Sequence, residues 1–355
     1  MHRSNIHLAP LLLVVLSTLQ PAARAQTTVA HYDFDQATGS TAVDLSGNGN
    51  NGNFVGAIPA AGIPTGCTAT TGVDFPIDTG RIEVPDAPSL RPAHGVTVEA
   101  WVLAAPLSEV RVVVGKQVNL GADSYVLFLN SDGSVGFSVN DGSVAGFVGG
   151  PAVADSEWHH LAGVLRDGQL QIYVDGSLGS SAPFAGPIAY DANPVTLGND
   201  LNGTSWFEAL FGQLDDVRIR DYGLSSDEVV ATYLASGTAA AIPRNGSGVN
   251  PSDFASLTDP KLGAPWQASV ALDNPGTDTS VVALSLAPSV PLPTLFGELL
   301  CLPPFAALDF AAGSHSLLVA DNCALVGAGV CAQAARISGT EVTFLNALDL
   351  QFGSF

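Results

Sequence analysis

Basic residues are scarce: Lys and Arg number 12 against 33 Asp and Glu, a formal charge of −21. A chain this acidic lacks the electrostatic footprint of a nucleic-acid binder. Charge of either sign is thin as well, with 13% of residues charged and 46% hydrophobic, which excludes an acidic disordered tail. Beyond the N-terminus no stretch approaches the roughly 18 unbroken apolar residues that a membrane span requires. No helix of any length is signalled before Ser225. There is no Gly-x-Ser-x-Gly elbow and no His-Glu-x-x-His zinc motif. Cysteine is limited to Cys67, Cys301, Cys323 and Cys331, for which three full pairings exist and the spacing selects none. A bridge from Cys67 would cross domains, so one pair with two free thiols stays equally open.

What is present begins with an export signal. Residues 1–25 combine Arg3, an apolar run from Leu8 to Leu16 and the small-residue site Ala23-Arg24-Ala25. Their removal takes Arg3 and Arg24 and no acid, so the charge moves from −21 to −23. The mature chain is expected outside the cell or on its surface, without a membrane span, in a compartment that permits disulfides. With 355 residues there is room for two domains of ordinary size.

From Gln26 onward the pattern is β. Short alternating or apolar runs such as Val96–Val102, Tyr125–Leu129, His160–Leu165 and Leu170–Val174 are separated by Asp132-Gly133, Asp141-Gly142, Asp167-Gly168 and Asp175-Gly176. Glycine accepts the positive φ that hairpin turns need, so these pairs predict tight turns in an all-β sandwich. Arg218 and Arg220 alternate with Val217 and Ile219, which marks a half-buried strand ending near Gly223. Ser225 precedes Glu228 by three residues, a capping-box spacing, and the stripe Val229, Val230, Tyr233 and Leu234 predicts a helix that stops at Gly237. Strict alternation puts Asp215 on the same buried face as Val217 and Ile219. A bare carboxylate there costs on the order of several kcal/mol. It therefore needs calcium, the amides of a neighbouring loop, or a one-residue bulge that turns it outward.

Tyr32-Asp-Phe-Asp35, Asp44-Leu-Ser-Gly-Asn-Gly-Asn-Asn-Gly52, Val98-Glu-Ala-Trp-Val102, Trp158-His-His-Leu-Ala-Gly-Val164 and Ile172-Tyr-Val-Asp-Gly176 occur in an order and spacing that resembles the laminin G-like domains. These are related to pentraxins and concanavalin A-like lectins, and the likeness covers about residues 27–236. It implies a two-sheet jelly roll over 26–237. Residues 238–250, rich in Ala, Pro, Gly and Ser, read as a linker, and 251–355 as a second, smaller β-sandwich. Asn245–Pro251, Leu262–Trp266 and Asn346–Gly353 are similar to a C-terminal module of secreted planctomycete-type bacterial proteins, a likeness that concerns origin and export, not chemistry.

The resemblance carries two calcium expectations. The Gly- and Asn-rich loop after Asp44 is of a kind that helps hold a structural calcium in this family, which nominates Asp44, Asn48 and Asp215; a hydrogen-bonded turn is the plain alternative. The pentraxin likeness of Val114–Gln117, Asp123-Ser124 and Thr196–Asn202 implies a second site with Asp123, Asp200 and Asn202 as ligands and Glu208 as a looser match. Ser124 departs from the Asn that pentraxins have there. Tyr190, Trp206 and Phe207 lie in loop-like segments where rings can stack on sugar faces. Trp158-His159-His160 does not form a zinc clamp, because adjacent strand residues point to opposite faces.

Retaining glucanases of the same fold carry two carboxylates on one strand as Glu-x-Asp-x-x-Glu, and glycoside hydrolysis needs the pair roughly 5–10 Å apart. No such run exists here, and Asp215-Asp216 are adjacent. The expectation is therefore a secreted, non-catalytic protein that recognises polysaccharide or glycoprotein with the help of calcium. A structural or adhesive surface protein that binds other proteins is the first alternative, and a cryptic glycoside hydrolase the second.

Overall fold

The computed structural model describes residues 27–354 except 37–38, 64–68, 94, 120 and 287. The expected export signal and Cys67 lie outside the described residues. Asp167-Gly168 and Asp175-Gly176 take positive φ at both positions, 50° and 74°, 48° and 75°. Each reverses the chain with a twist that matches its flanking strands. The turn at Asp167-Gly168 joins Trp158–Arg166 to Gln169–Val174, and that at Asp175-Gly176 leads into Ser177–Pro183.

Those strands begin one of two eight-stranded sheets among the described residues. Across it run Ser177–Pro183, Gln169–Val174, Trp158–Arg166, Val96–Ala104, Gly212–Arg220, Thr71–Asp74 and Ile58–Ala61, with Thr28–Tyr32 also pairing onto Gly212–Arg220. The facing sheet orders Ala145–Ala152, Ser134–Asn140, Ala122–Leu129, Arg111–Asn119, Val195–Leu197, Arg81–Val84, Gly52–Val55 and Thr41–Ala42. Inward side chains such as Val98, Ile172, Val217 and Ile219 from the first sheet, and Val114, Leu127 and Phe137 from the second, form one core. This is an all-β two-sheet jelly roll joined to a second, smaller β-sandwich.

The outer face of the first sheet is covered by the helix Ser226–Ala235. Both halves of its capping box are present, with the Ser225 hydroxyl accepting from the Glu228 amide. Val229 packs there on Ala162, Val164, Tyr173 and Leu224. Beneath this cover Glu99 is fully buried and accepts a 2.7 Å bond from Arg220 Nε, with His160 Nε2 at 3.6 Å.

The segment read as a linker is in part a strand: Ala240–Arg244 pairs with Glu341–Gln351. It lies at the edge of a five-stranded sheet that continues through Gly329–Ser338, Thr279–Ser285 and Phe305–Ala311. Pro243 is tolerated because an edge strand leaves one side unpaired. Phe254–Ser256, Pro265–Val270 and Ser314–Leu318 make the second layer, and Val282, Ala332, Leu345 and Leu348 meet Phe254 and Trp266 between them. Cys301 and Cys331 are disulfide-bonded and tie the hairpin Pro288–Thr294/Gly297–Cys301 to that sheet. Cys323 is disulfide-bonded as well, and no described cysteine is free, so the arrangement with two free thiols does not hold.

Candidate functional site

Asn199 starts the construction. It is fully buried, and its Nδ2 donates to the carbonyls of Asp78 (2.9 Å) and Gly80 (3.2 Å), pinning the chain as it leaves Val195–Leu197. A short hairpin follows, Asp200–Asn202 against Ser205–Phe207, turning at Gly203 with φ 69°. The hairpin brings Asp200 towards Asp123, the second residue of the strand Ala122–Leu129. Burial pushes the Asp123 carboxyl up to about 8, and the charges of Asp200 and Glu208 add to the effect. Asp200 is raised by burial. Glu208 is raised by burial and by Asp200, against the pull of Arg111.

Beside this group opens a cavity of about 450 Å³ lined by Glu109, Arg111, Asp200, Asn202, Phe207 and Glu208, with Val110. Phe207 is 53% exposed at its mouth. The Arg81 guanidinium covers one face of the Trp206 ring at 3.9 Å from its centroid, while Arg111 stacks on Phe211 at 4.8 Å. Such cation–π contacts fix the rim side chains. One buried polar atom on the face of this group, Gln117 Oε1, has no hydrogen-bond partner. Gln117 pairs directly opposite Asp123, so the two side chains share a face. Buried polar atoms are nearly always satisfied, so an orphaned amide oxygen beside buried carboxyls is unusual. Neither Gln117 nor Arg111 carries a ligand signature in the sequence. They reach the site through strand register, which only the pairing reveals.

The other nominated residues divide differently. Asp44 is buried, and its carboxylate accepts from the amides of His31, Ser46 and Asn50 and from the Ser46 hydroxyl at 2.8–3.0 Å. Asn48 is exposed and donates to Thr28 O and Ser46 Oγ. Asp215 accepts from the amides of Ile63 (3.0 Å) and Asp216 (2.7 Å) and from Thr70 Oγ1 (3.2 Å). Asp44 and Asp215 thus share no hydrogen-bond partner among the described residues.

Asp215 does not lie on the face of Val217 and Ile219. The pairing with Val96–Ala104 slips between Asp215 and Arg218, and Asp216 takes φ 46°. The bulge sets Leu214 and Val217 into the core and leaves Asp215 opposite Trp101 on the outer face. It stays only 2% exposed because the segment at Gly62 lies over it, so closely that a Cβ on Gly62 would sit 2.3 Å from Asp215 Oδ2. Burial pushes its carboxyl up to about 7 against the bonds from Ile63 and Asp216. Asp215 lines a separate cavity of about 290 Å³ with His31, Asp33, Asp35, Asp216 and Arg218.

Tyr190 is half-buried, donates to Pro92 O at 2.7 Å and packs edge-on to Tyr125, so its ring serves packing. His160 sits in the Glu99 group, while His159 Nδ1 meets Asp175 Oδ2 at 2.7 Å. Among the described residues no three His, Cys, Asp or Glu side chains are arranged to hold a metal ion.

Residues 78–230 match the family described as the concanavalin A-like lectin/glucanases superfamily. No curated protein matches the chain. Solved structures are similar in fold. The binding domain of Paraclostridial Mosquitocidal Protein 1 aligns with a TM-score of 0.50 and 13% identity, covering 92% of this chain and 91% of that one. Domain 4 of AbnA, an extracellular GH43 arabinanase from Geobacillus stearothermophilus in complex with arabinotriose, aligns with a TM-score of 0.45 and 21% identity over 58% of this chain and 98% of its own. A Trypanosoma rangeli sialidase in complex with sialic acid aligns at 0.45 and 16% over 58% of this chain and 32% of that one.

Proposed function

We propose that the jelly roll recognises carbohydrate on an extracellular polysaccharide or glycoprotein, and that calcium at the Asp123 group assists it. The observation that carries this reading is the unpartnered Gln117 carbonyl oxygen opposite Asp123, beside carboxyls that burial and mutual repulsion hold above their ordinary range. A hard cation relieves both at once, since calcium takes six to eight oxygens and favours carboxylates and amide carbonyls. Asp123 and Asp200 would hold it, with amide oxygens from Gln117 and Asn202 completing the oxygen set. When bound, it supplies a positive centre for sugar hydroxyls. Phe207, exposed at the cavity mouth, offers an apolar face for the ring, and Arg111 and Glu109 offer a donor and an acceptor. The role is binding without bond cleavage, in a protein exported from the cell, with the second sandwich as its attachment module.

The test is retention of the mature protein on a polysaccharide and glycan panel, in calcium and in chelator, with reducing ends assayed in the same wells. Retention lost in chelator and lost in Asp200→Asn is the expected result. Retention unchanged by chelator removes calcium from the reading. Release of reducing sugar overturns the non-catalytic role, and no retention at all leaves surface adhesion as the better account.

A further inference from the structure

A cavity of about 400 Å³ lies between the two domains, at the low end of the roughly 300–1,000 Å³ typical of small-molecule sites. The jelly roll contributes Trp101, Glu157, Trp158, His159, Asp175 and Tyr233, and the second domain side contributes Thr238, Ala239, Asp259 and Lys261. None of these belongs to the Asp123 group. We infer that this cleft is a second binding site, for a neutral mono- or disaccharide, and that it works without calcium.

The wall is aromatic and fixed. Tyr233, half-buried, stacks on the fully buried Trp101 with centroids 5.8 Å apart at 24°, and Trp101 Nε1 donates to Ser236 Oγ at 2.9 Å, so Trp101 backs the wall and Tyr233 and Trp158 face the gap. Trp158, half-buried, opens onto the same space. Flat apolar rings of this kind suit the C–H faces of a pyranose. The polar groups set the ligand's charge. Glu157, Asp175 and Asp259 are acceptors that disfavour an anion. Lys261 is a donor that disfavours a cation, and Asp175 and Asp155 raise the His159 imidazole although burial alone would lower it. A ligand that donates and accepts in many directions without net charge satisfies both sets, which describes sugar hydroxyls. Burial and Asp175 together raise Asp259 against Lys261, so the acids of the two domains feel one another across the gap.

The two walls are held in register. Gln351 Nε2 donates to the carbonyls of Leu234 (2.6 Å) and Thr238 (3.2 Å), and the Ser354 amide donates to Gly237 O. Gly353 backs onto the connection so closely that a Cβ there would lie 2.0 Å from the Ala239 amide nitrogen. A preorganised gap of this kind spares a ligand the cost of ordering it.

Saturation-transfer NMR on the full mature chain in chelator, with glucose, galactose, arabinose, cellobiose, maltose and lactose as probes, tests the inference. At least one sugar is expected to bind, with the affinity falling roughly tenfold in Trp158→Ala and in Lys261→Ala. Should Trp158→Ala fail to fold, the Asp259→Ala and Lys261→Ala variants decide. Binding by none of the six, binding indifferent to Lys261 and Asp259, or binding only after calcium is restored would each overturn it. The last result belongs to the Asp123 group, so failure here is distinguishable from failure there.

Discussion

Asp123 titrates near 3.9 in an unfolded chain and is pushed up to about 8 in the folded one. Between those values the folded state holds a proton that the unfolded state has lost, so stability falls as pH rises from about 4 to 8. Asp123→Asn removes the penalty. In chelator its melting temperature at pH 8 is expected to exceed the parent's by a few degrees, with no difference at pH 4; equal values at pH 8 would refute the assignment. Asp215, pushed up to about 7, has the same sign of dependence over a narrower window. Asp123, Asp200 and Glu208 were named through family likeness, since spacing alone does not unite residues on a strand, a hairpin and a loop. The orphaned Gln117 oxygen has no trace in the sequence, because an amide in a strand looks the same with a partner or without one. Strict alternation puts Asp215 on the inner face. The bulge and the neighbouring-loop amide that the sequence left open as alternatives are what the structure has. Nothing in the sequence chose between them and calcium, because a bulge leaves no residue type as its mark.

Strand pairs are where buried charge becomes stability. Glu99 on Val96–Ala104 and Arg220 on Gly212–Arg220 meet under the helix. Burial pushes the Glu99 carboxyl up, but His160 and Arg220 outweigh it and hold it down to about 2. The stabilisation is complete above the ordinary Glu range near 4.3 and is lost as pH falls towards 2. Arg220→Met strands a fully buried carboxylate and is expected to cost about 3–5 kcal/mol in urea unfolding at pH 7, with Glu99→Gln in the same chain recovering part of it. A loss below about 1 kcal/mol would show the pair to be dispensable. The capping box and the Asp-Gly turns were legible because each rests on a local rule. Gly329–Ser338 and Phe305–Ala311 were not foreseen. Their alanines lack β propensity, and the first is a strand because Ala332 and Ala334 fit flat against Val282 and Leu345 in the second core.

Two separate cores imply two melting transitions, and the Cys301–Cys331 disulfide belongs to one of them. Cys301 and Cys331 are 30 residues apart, and closing a loop of that length contributes about 3–4 kcal/mol by the chain-entropy estimate. Calorimetry of Cys301→Ala/Cys331→Ala should show the second domain's transition lowered and the jelly roll's unmoved. A coupled shift of both would mean that the interdomain contacts unite them. The outer strands have a further consequence. Thr28 pairs with Arg220 to close the jelly roll, and Ala240 pairs with Gln351 to complete the second domain's main sheet. Each domain is thus clasped by its own beginning and end. During synthesis neither clasp forms until nearly all of its domain has left the ribosome. Pairing this non-local is slow, on the order of milliseconds to seconds. Losing Glu341–Gln351 would therefore cost the second domain's main sheet two of its pairings at once, with Ala240–Arg244 and with Gly329–Ser338.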